Sequence, residues 1–96
     1  MKHLLILVTY KLKSGMRDVF LKAMSESGIL KEVLKEDGIV RYHYYLDESN
    51  PDIILLVEEW LTAEHQKKHL ETPHMARFQP IKAEYILETI VEKAEI

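Results

Sequence analysis

The chain has no cysteine, and glycine, proline and tryptophan are scarce, with three, three and one among 96 residues. The missing thiols exclude disulfides, thiolate nucleophiles, iron–sulfur clusters and cysteine-based zinc sites. Any chemistry must therefore use histidine, carboxylates, tyrosine or a bound cofactor. No P-loop, GxGxxG or GxSxG motif occurs, which argues against nucleotide-dependent and serine hydrolase functions.

The sequence also lacks a long apolar run and an excess of positive charge. Its first apolar run, Leu4 to Val8, has five residues, which is shorter than the core of a signal peptide or a membrane span. We therefore expect a cytoplasmic protein with no membrane partner. A net charge of −3, with no basic run longer than Lys67-Lys68, argues against a nucleic-acid partner.

Hydrophobic periodicity and turn residues predict one domain over residues 1–96. Strands are predicted over residues 3–12, 39–46, 53–61 and 84–93. Helices are predicted over residues 16–35, with a break at Ser27-Gly28, and from a cap at Thr62 with a restart at Thr72-Pro73. Ser14 is a candidate cap for the first helix, and Gly38 is a stop at its end. The order βαββαβ predicts an α+β, ferredoxin-like fold, with both helices on one face of a four-stranded antiparallel sheet.

Two predicted strands are apolar at every position, over Leu4 to Val8 and Ile53 to Val57. An antiparallel sheet with one face in water normally alternates apolar and polar residues. Because the helices cover only one face, the other face needs a second cover, since soluble monomers rarely expose large apolar patches. We expect a homodimer in which two copies stack sheet against sheet. The alternative is that the chain's own termini cover this face.

A carboxylate follows the apolar residues of the third strand. The period of two carries Glu58 and Trp60 into one row with Ile54 and Leu56. A buried carboxylate needs a basic partner or is available as an acid or base. The alternative is that Glu58 lies at a frayed strand end and pairs with a surface lysine.

Three histidines, His65, His69 and His74, lie within ten residues. Histidine, with a pKa of about 6.5, is the natural proton acceptor near neutral pH. A zinc or iron site from His65, His69 and Glu58 is chemically possible, but without HExxH spacing we expect no metal. For His65 we expect a solvated helix face.

Tyrosines alternate along the second strand, with Tyr42 and Tyr44 on one face and Tyr45 beside His43 on the other. Aromatic rings are therefore available to a cavity on either side of the sheet, although tyrosine rings more often fill cores than bind ligands.

Several of these residues together resemble a known family. Glu58-x-Trp60, the run from His69 through Thr72-Pro73-His74, and Phe78 are similar to the antibiotic biosynthesis monooxygenase superfamily, closest to its quinol monooxygenase branch. Gly15, Phe20 and Gly38 also fall where that family has them, so the resemblance covers nearly the whole chain. The family forms dimeric α+β barrels, which agrees with the homodimer expected from the apolar sheet face.

The resemblance implies oxidation of a small phenol or quinol by O2 without a metal, flavin or other cofactor. It implies His69 as the base, Glu58 as the group that orients or charges it, and His74 as a second proton donor. A helix-start cap or a packing contact is an equally good role for His74. The implied walls of the substrate cavity are Trp60, Phe78, Tyr42 and Tyr44.

Other members of the superfamily suggest other activities. Haem-degrading members use an Asn, a Trp and a His where this chain aligns Val8, His69 and Gln79, which argues against haem. An isomerase of a small phosphorylated carbonyl compound has a similar His-x-Thr-Thr-Pro-His run, and that activity would need Arg41, His43 or Arg77 to point into the cavity. A non-catalytic small-molecule-binding or stress-response dimer is the third reading.

Overall fold

The computed structural model describes residues 2–96 and has the element order βαββαβ, with each helical segment in two pieces. The strands are β1 (Leu4–Leu12), β2 (Ile39–Leu46), β3 (Ile53–Trp60) and β4 (Ile86–Glu95). The helices are α1 (Arg17–Ser27), α2 (Ile29–Val33), α3 (Ala63–Leu70) and α4 (Pro73–Tyr85). The strands form one antiparallel sheet in the order β2-β3-β1-β4. The predicted ferredoxin-like α+β fold is confirmed.

Threonine caps begin both pieces of the second helical segment, as predicted. The Thr62 hydroxyl accepts a hydrogen bond from the backbone N–H of His65, and the Thr72 hydroxyl accepts one from Met75, each at 3.3 Å. Gly28, with φ of 72°, separates α1 from α2, because a residue in the left-handed region ends a helix.

The predicted ends of several elements differ from the structure by one or two residues, and the starts of α1 and β4 are among them. Ser14 does not cap α1, which begins at Arg17 with Met16 at the capping position and no side-chain cap. β4 begins at Ile86 and not at residue 84, because α4 continues to Tyr85. The Tyr85 ring packs on Phe20 with ring centroids 6.2 Å apart, so core packing extends the helix beyond the point where the β-rich sequence begins.

One face of the sheet is buried beneath the helices. The side chains that point to the helices come from even-numbered positions of β1 and β3, and they are Ile6, Val8, Tyr10, Leu12, Ile54, Leu56, Glu58 and Trp60. None of them is more than 6% exposed. The apolar members form a single core cluster with helix residues such as Phe20, Met24 and Phe78. The predicted alternation that carries Glu58 and Trp60 into a buried row is therefore confirmed.

The opposite, open face of the sheet is apolar at its centre. Leu7 pairs with Val57, and Thr9 pairs with both Leu55 and Ile90. The termini do not cover this face, because His3 and Ile96 continue the β1–β4 ladder. The backbone nitrogen of each residue lies 2.9 or 3.0 Å from the carbonyl oxygen of the other. The open face therefore remains available to a second copy of the chain.

None of the helices in residues 2–96 combines the length and the apolarity that crossing a membrane requires. The cytoplasmic location stays a prediction of the sequence.

Candidate active site

A cavity of about 250 Å³ lies between the buried face of the sheet and the second helical segment. Its floor comes from all four strands: Ile6, Val8, Tyr10, Tyr42, Glu58, Thr89, Val91 and Lys93. Its roof comes from α3 and α4: Gln66, His69, Leu70, Met75, Phe78, Gln79 and Lys82. The roof residues recur at helical spacings of three and four, so each helix turns one face to the cavity. At this size the cavity suits a small ligand.

His69 is the most deeply buried polar residue of this cavity, at 1% exposure. Its Nδ1 lies 2.7 Å from Oε2 of Glu36, a residue in the loop between α2 and β2. An ionised carboxylate only accepts hydrogen bonds, so Nδ1–H donates to Glu36 and Nε2 keeps its lone pair. The His69 ring also packs on Trp60 and Tyr42, with ring centroids 4.7 and 5.6 Å away. The ring is therefore held in one orientation with Nε2 as a proton acceptor.

His74 contacts the same carboxylate oxygen from the start of α4. Its Nε2 lies 2.8 Å from Oε2 of Glu36, and its exposed fraction is 9%. Glu36 therefore joins two histidines from two helices. His74 does not line the cavity, which leaves Glu36 as its link to His69.

Among residues 2–96, Glu36, His69 and His74 form a group that could hold a metal ion, since their ligand atoms all lie within 4.8 Å of one another. Two histidines and a carboxylate form a common zinc or iron ligand set. Ligands of one tetrahedral zinc stand about 3.4 Å apart, given bonds of about 2.1 Å. The separations of 2.7 and 2.8 Å are instead those of direct hydrogen bonds. His65 and Glu58, the other members of the metal set considered from the sequence, are not part of this cluster.

Glu58 lies on the cavity floor and is 6% exposed. Burial raises the pKa of its carboxyl group, and the hydrogen bond from Trp60 Nε1–H, at 3.0 Å, opposes this rise, as does the nearby His69. Glu58 accepts its hydrogen bond from Trp60, whereas the carboxylate that contacts His69 is Glu36. The carboxylate that contacts His69 is therefore Glu36, from the loop between α2 and β2, and not Glu58, the partner that the resemblance implied.

The raised pKa of Glu58 predicts how stability depends on pH. The folded state binds the Glu58 proton more tightly than the unfolded state, so this group lowers stability as pH rises above the ordinary value of 4.5. Glu58→Gln keeps an acceptor for Trp60 and removes the charge. The variant should melt at a higher temperature than the parent at pH 7, and the difference should vanish near pH 4.

Glu59→Gln is the matched control, because Glu59 is the next residue on β3 and lies on the open face. It contacts His3 at 2.6 Å and Arg41 at 3.5 Å, so its loss should not stabilise the protein. An equal gain in melting temperature from both variants would refute the assignment to Glu58.

Two tyrosines on the cavity floor keep their protons at neutral pH. Burial raises the pKa of Tyr10 and of Tyr42, and the negative charge of Glu58 raises both further. A protonated phenol donates a hydrogen bond but does not accept a proton. His69 and Glu58 are therefore the cavity residues able to act as bases.

The sequence profile of the family described as Antibiotic biosynthesis monooxygenase matches residues 4–81. The chain belongs to the antibiotic biosynthesis monooxygenase family. A curated relative, "Probable quinol monooxygenase YgiN" of Escherichia coli K12, is 34% identical over 58 residues, which are 52% of this chain and 56% of that protein. The chain thus spans about half the length of the curated relatives it matches.

Solved structures agree with this family fold. A conserved protein from Methanosarcina mazei superposes with a TM-score of 0.87 at 23% identity, covering 98% of this chain and 92% of that one. A protein from Bacteroides thetaiotaomicron, described as a possible oxidoreductase, superposes with a TM-score of 0.84 at 25% identity, covering 99% and 98%.

Within this antibiotic biosynthesis monooxygenase fold, the structure places four of the residues selected from the sequence at the cavity: His69, Glu58, Phe78 and Tyr42. Trp60 lies behind His69, and Tyr44 packs on Phe20, with ring centroids 6.0 Å apart. Neither Trp60 nor Tyr44 lines the cavity, although both were predicted as walls. Their contribution is to support the residues that do.

Two site residues of this family member escaped the sequence analysis, Glu36 and Tyr10. Glu36 lies in the polar run Lys35-Glu36-Asp37, which looks like a solvated loop. The only local signal is the neighbouring Gly38, which is buried in the structure. The alternation along β1 could have identified Tyr10, because Tyr10 lies on the same face of the strand as Ile6 and Val8.

His65 also differs from its expected role on a solvated helix face. Its Nδ1 lies 2.7 Å from the Thr62 hydroxyl, its Nε2 lies 3.4 Å from Asp37, and its side chain is 24% exposed. It packs against Gly38 and so joins α3 to the loop that carries Glu36.

Proposed function

We propose that the protein is a cofactor-independent monooxygenase that oxidises a small phenol or quinol with O2. The observation that carries this proposal is the orientation of His69: the residue lines the cavity, and its Nδ1 is 2.7 Å from Glu36, so Nε2 is left to take a phenolic proton. The family membership and the similarity to a probable quinol monooxygenase support the same reaction class.

The reaction balances without an external reductant. His69 takes a phenolic proton, and the electron-rich phenolate passes an electron to O2 to give a radical pair. Recombination forms one carbon–oxygen bond and breakage of the O–O bond follows. For a naphthohydroquinone, quinol plus O2 gives a hydroxynaphthoquinone plus water, so the substrate supplies all four electrons that O2 accepts. The apolar walls would shield the radical pair from water.

His69 and Glu36 form the central dyad of this proposal, with His74 as a positioning residue. The Glu36 carboxylate stabilises the imidazolium that forms when His69 accepts the proton, as a paired carboxylate does for any catalytic histidine. His74 fixes the same carboxylate from the far side. Glu58, which the resemblance assigned as the orienting group, would instead act as a floor residue beside the substrate.

The competing isomerase activity required Arg41, His43 or Arg77 to face the cavity. None of the three lines it: Arg41 contacts Glu59 on the open face, and His43 packs beside Tyr45, with ring centroids 4.9 Å apart. The cavity cations are lysines instead. A purely structural role is also disfavoured for His69, because this residue lines the cavity and its free acceptor nitrogen is available to a bound ligand.

Oxygen consumption tests the function directly. The protein is mixed with a panel of reduced naphthoquinones and simple phenols, and uptake is compared with autoxidation in buffer alone. Mass spectrometry of the product formed under ¹⁸O₂ should show one labelled oxygen bonded to a ring carbon. Uptake no faster than autoxidation across the panel would refute the proposal, and hydrogen peroxide without ring labelling would show an oxidase instead.

We further propose that the working unit is a homodimer built on the open face of the sheet. Light scattering at micromolar concentration should report twice the chain mass of 11.3 kDa. Leu7→Lys places a charge in the apolar centre of this face and should weaken the dimer at least about tenfold. Val19→Lys is the control, because Val19 is 44% exposed on α1, away from the sheet. A parent protein of 11.3 kDa would contradict the dimer.

A further inference from the structure

The cavity carries opposite chemistry on its two sides. The β2 side holds the His69 ring, which packs on Tyr42 and Trp60. The β4 side holds two cationic side chains, Lys82 and Lys93. The reaction proposed above uses the first side and gives no role to the second.

The strand register places Lys93 at the cavity. Paired positions in the ladder put Lys93, Ile6, Glu58 and Tyr42 in one row across the four strands, on the face beneath the helices. Adjacent strands lie about 4.8 Å apart, so the backbones of Lys93 and Tyr42 are about 14 Å apart at opposite edges of the sheet. The row therefore spans the cavity from its cationic side to the His69 side.

The spacing of α4 places Lys82 in the roof of the cavity, and its position near the end of α4 brings it towards β4. Met75, Phe78 and Lys82 lie three, four and seven residues apart and share the face that lines the cavity. Lys82 lies in the last turn before α4 passes directly into β4. Its residue is only half-buried, so the ammonium group can reach both the apolar interior and the cavity mouth.

Neither lysine forms an ion pair within the described part of the chain, although Lys93 acts on Glu58, two strands away in the same row, and lowers the pKa of that carboxyl group. The lysine and arginine ion pairs of residues 2–96 involve Lys2, Lys11, Lys35 and Arg41 only. Lys93 is exposed and Lys82 is half-buried, so both ammonium groups are free to meet an anion that enters the cavity they line. A bound anion would supply the missing partner.

We propose that the substrate is an aromatic acid: a hydroxylated ring that carries a carboxylate or an equivalent anion on the edge remote from the reacting hydroxyl. The hydroxyl lies at His69, and Lys82 and Lys93 bind the anion at the β4 side. The assignment of the His69 end rests on the proposed function, whereas the anion site rests on the two lysines alone.

A matched pair of ligands isolates the contribution of the anion. 6-Hydroxy-2-naphthoate and 2-naphthol share the ring system and the hydroxyl, and they differ in a carboxylate at the far edge. Calorimetric titration of the full chain under nitrogen should show the naphthoate binding about 10- to 100-fold more tightly, the range expected for one or two charge-assisted contacts. In the Lys82→Gln/Lys93→Gln variant this ratio should fall to about 1–3, and 2-naphthol should bind as before. Lys22→Gln/Lys31→Gln is the control, because both of these lysines are exposed on α1 and α2 and should leave the ratio unchanged.

Three results would overturn the anion site. They are equal affinity of the parent protein for the two ligands, an equal loss of affinity for both ligands in the Lys82→Gln/Lys93→Gln variant, and no binding of either ligand at millimolar concentration. Tight binding of dihydroxyacetone phosphate without naphthoate binding would show that the lysines serve a phosphorylated carbonyl compound, which also overturns the proposal. Because the titration needs no turnover, selective naphthoate binding by a protein that consumes no oxygen would refute the monooxygenase function and leave the anion site standing. Rapid oxidation of neutral quinols with no anion preference would refute the anion site and leave the monooxygenase function standing.

Discussion

Replacing His69 with alanine should lower the rate of quinol-dependent oxygen consumption by about 10²- to 10⁴-fold, the range expected for loss of a general base. The expectation follows from the geometry: His69 is the cavity base whose partner nitrogen is fixed, at 2.7 Å from Glu36. The measurement is the initial rate in an oxygen electrode after subtraction of autoxidation. Retention of more than about a tenth of the parent rate would refute the role of His69.

Chemical rescue separates a missing base from a damaged fold. The His69→Ala variant leaves a space the size of an imidazole ring against Trp60 and Tyr42, so added imidazole should restore part of the rate. Lys68→Ala, on the exposed side of the same helix, should show neither the loss nor the rescue. Imidazole that stimulates both variants equally would point to solution catalysis.

The companion variant Glu36→Gln keeps a hydrogen-bond acceptor for His69 and removes the charge. Its rate should fall less than that of His69→Ala, by about 10-fold or more, because the imidazolium loses its counter-charge while the ring keeps its position. The loss should be independent of Glu58, which accepts its hydrogen bond from Trp60. If Glu58→Gln lowers the rate and Glu36→Gln does not, the orienting group is the one that the resemblance first assigned.

The secondary structure could be predicted because its signals are local. Alternation along β1 and β3, the threonines at Thr62 and Thr72, and the turn between β2 and β3 each act over a few residues. The misplaced boundaries have a tertiary cause. Tyr85 favours a strand on its own, but packing on Phe20 keeps it in α4.

The candidate site could be predicted only in part, because its central contact joins distant parts of the chain. His69 and Glu36 are 33 positions apart, and no spacing rule connects a loop glutamate to a helix histidine. Glu58 looked like the partner because strand alternation buries it, and burial is visible from sequence whereas pairing is not. The strand register that aligns Lys93 with Glu58 and Tyr42 is likewise a property of the assembled sheet.

The approach of α3 to the Glu36 loop depends on Gly38, which gives the second large prediction. Gly38 has φ of 84°, and a Cβ built there would overlap the His65 ring. Gly38→Ala should therefore add a steric cost to the strain of a left-handed alanine, and destabilise the protein by about 2–5 kcal/mol. Chemical denaturation at one fixed protein concentration measures the loss, since a dimer's stability depends on concentration.

The variant Gly15→Ala separates the strain of a left-handed alanine from the steric cost of the overlap with His65. Gly15 has a similar φ of 73°, but nothing lies within 4 Å of a Cβ built there, so Gly15→Ala should cost only about 1–2 kcal/mol. His65→Ala removes the clashing ring but keeps the Cβ of residue 65, which lies 2.6 Å from the Cβ built at Gly38, so in that background Gly38→Ala should cost less than in the parent but still more than Gly15→Ala does. Because His65 and His69 lie one turn apart on α3, the clash in Gly38→Ala should also move His69 away from Glu36 and lower the oxidation rate of the folded protein. Equal costs at Gly38 and Gly15 would mean that the loop is free to move, and that the close packing of His65 does not hold the Glu36–His69 contact in place.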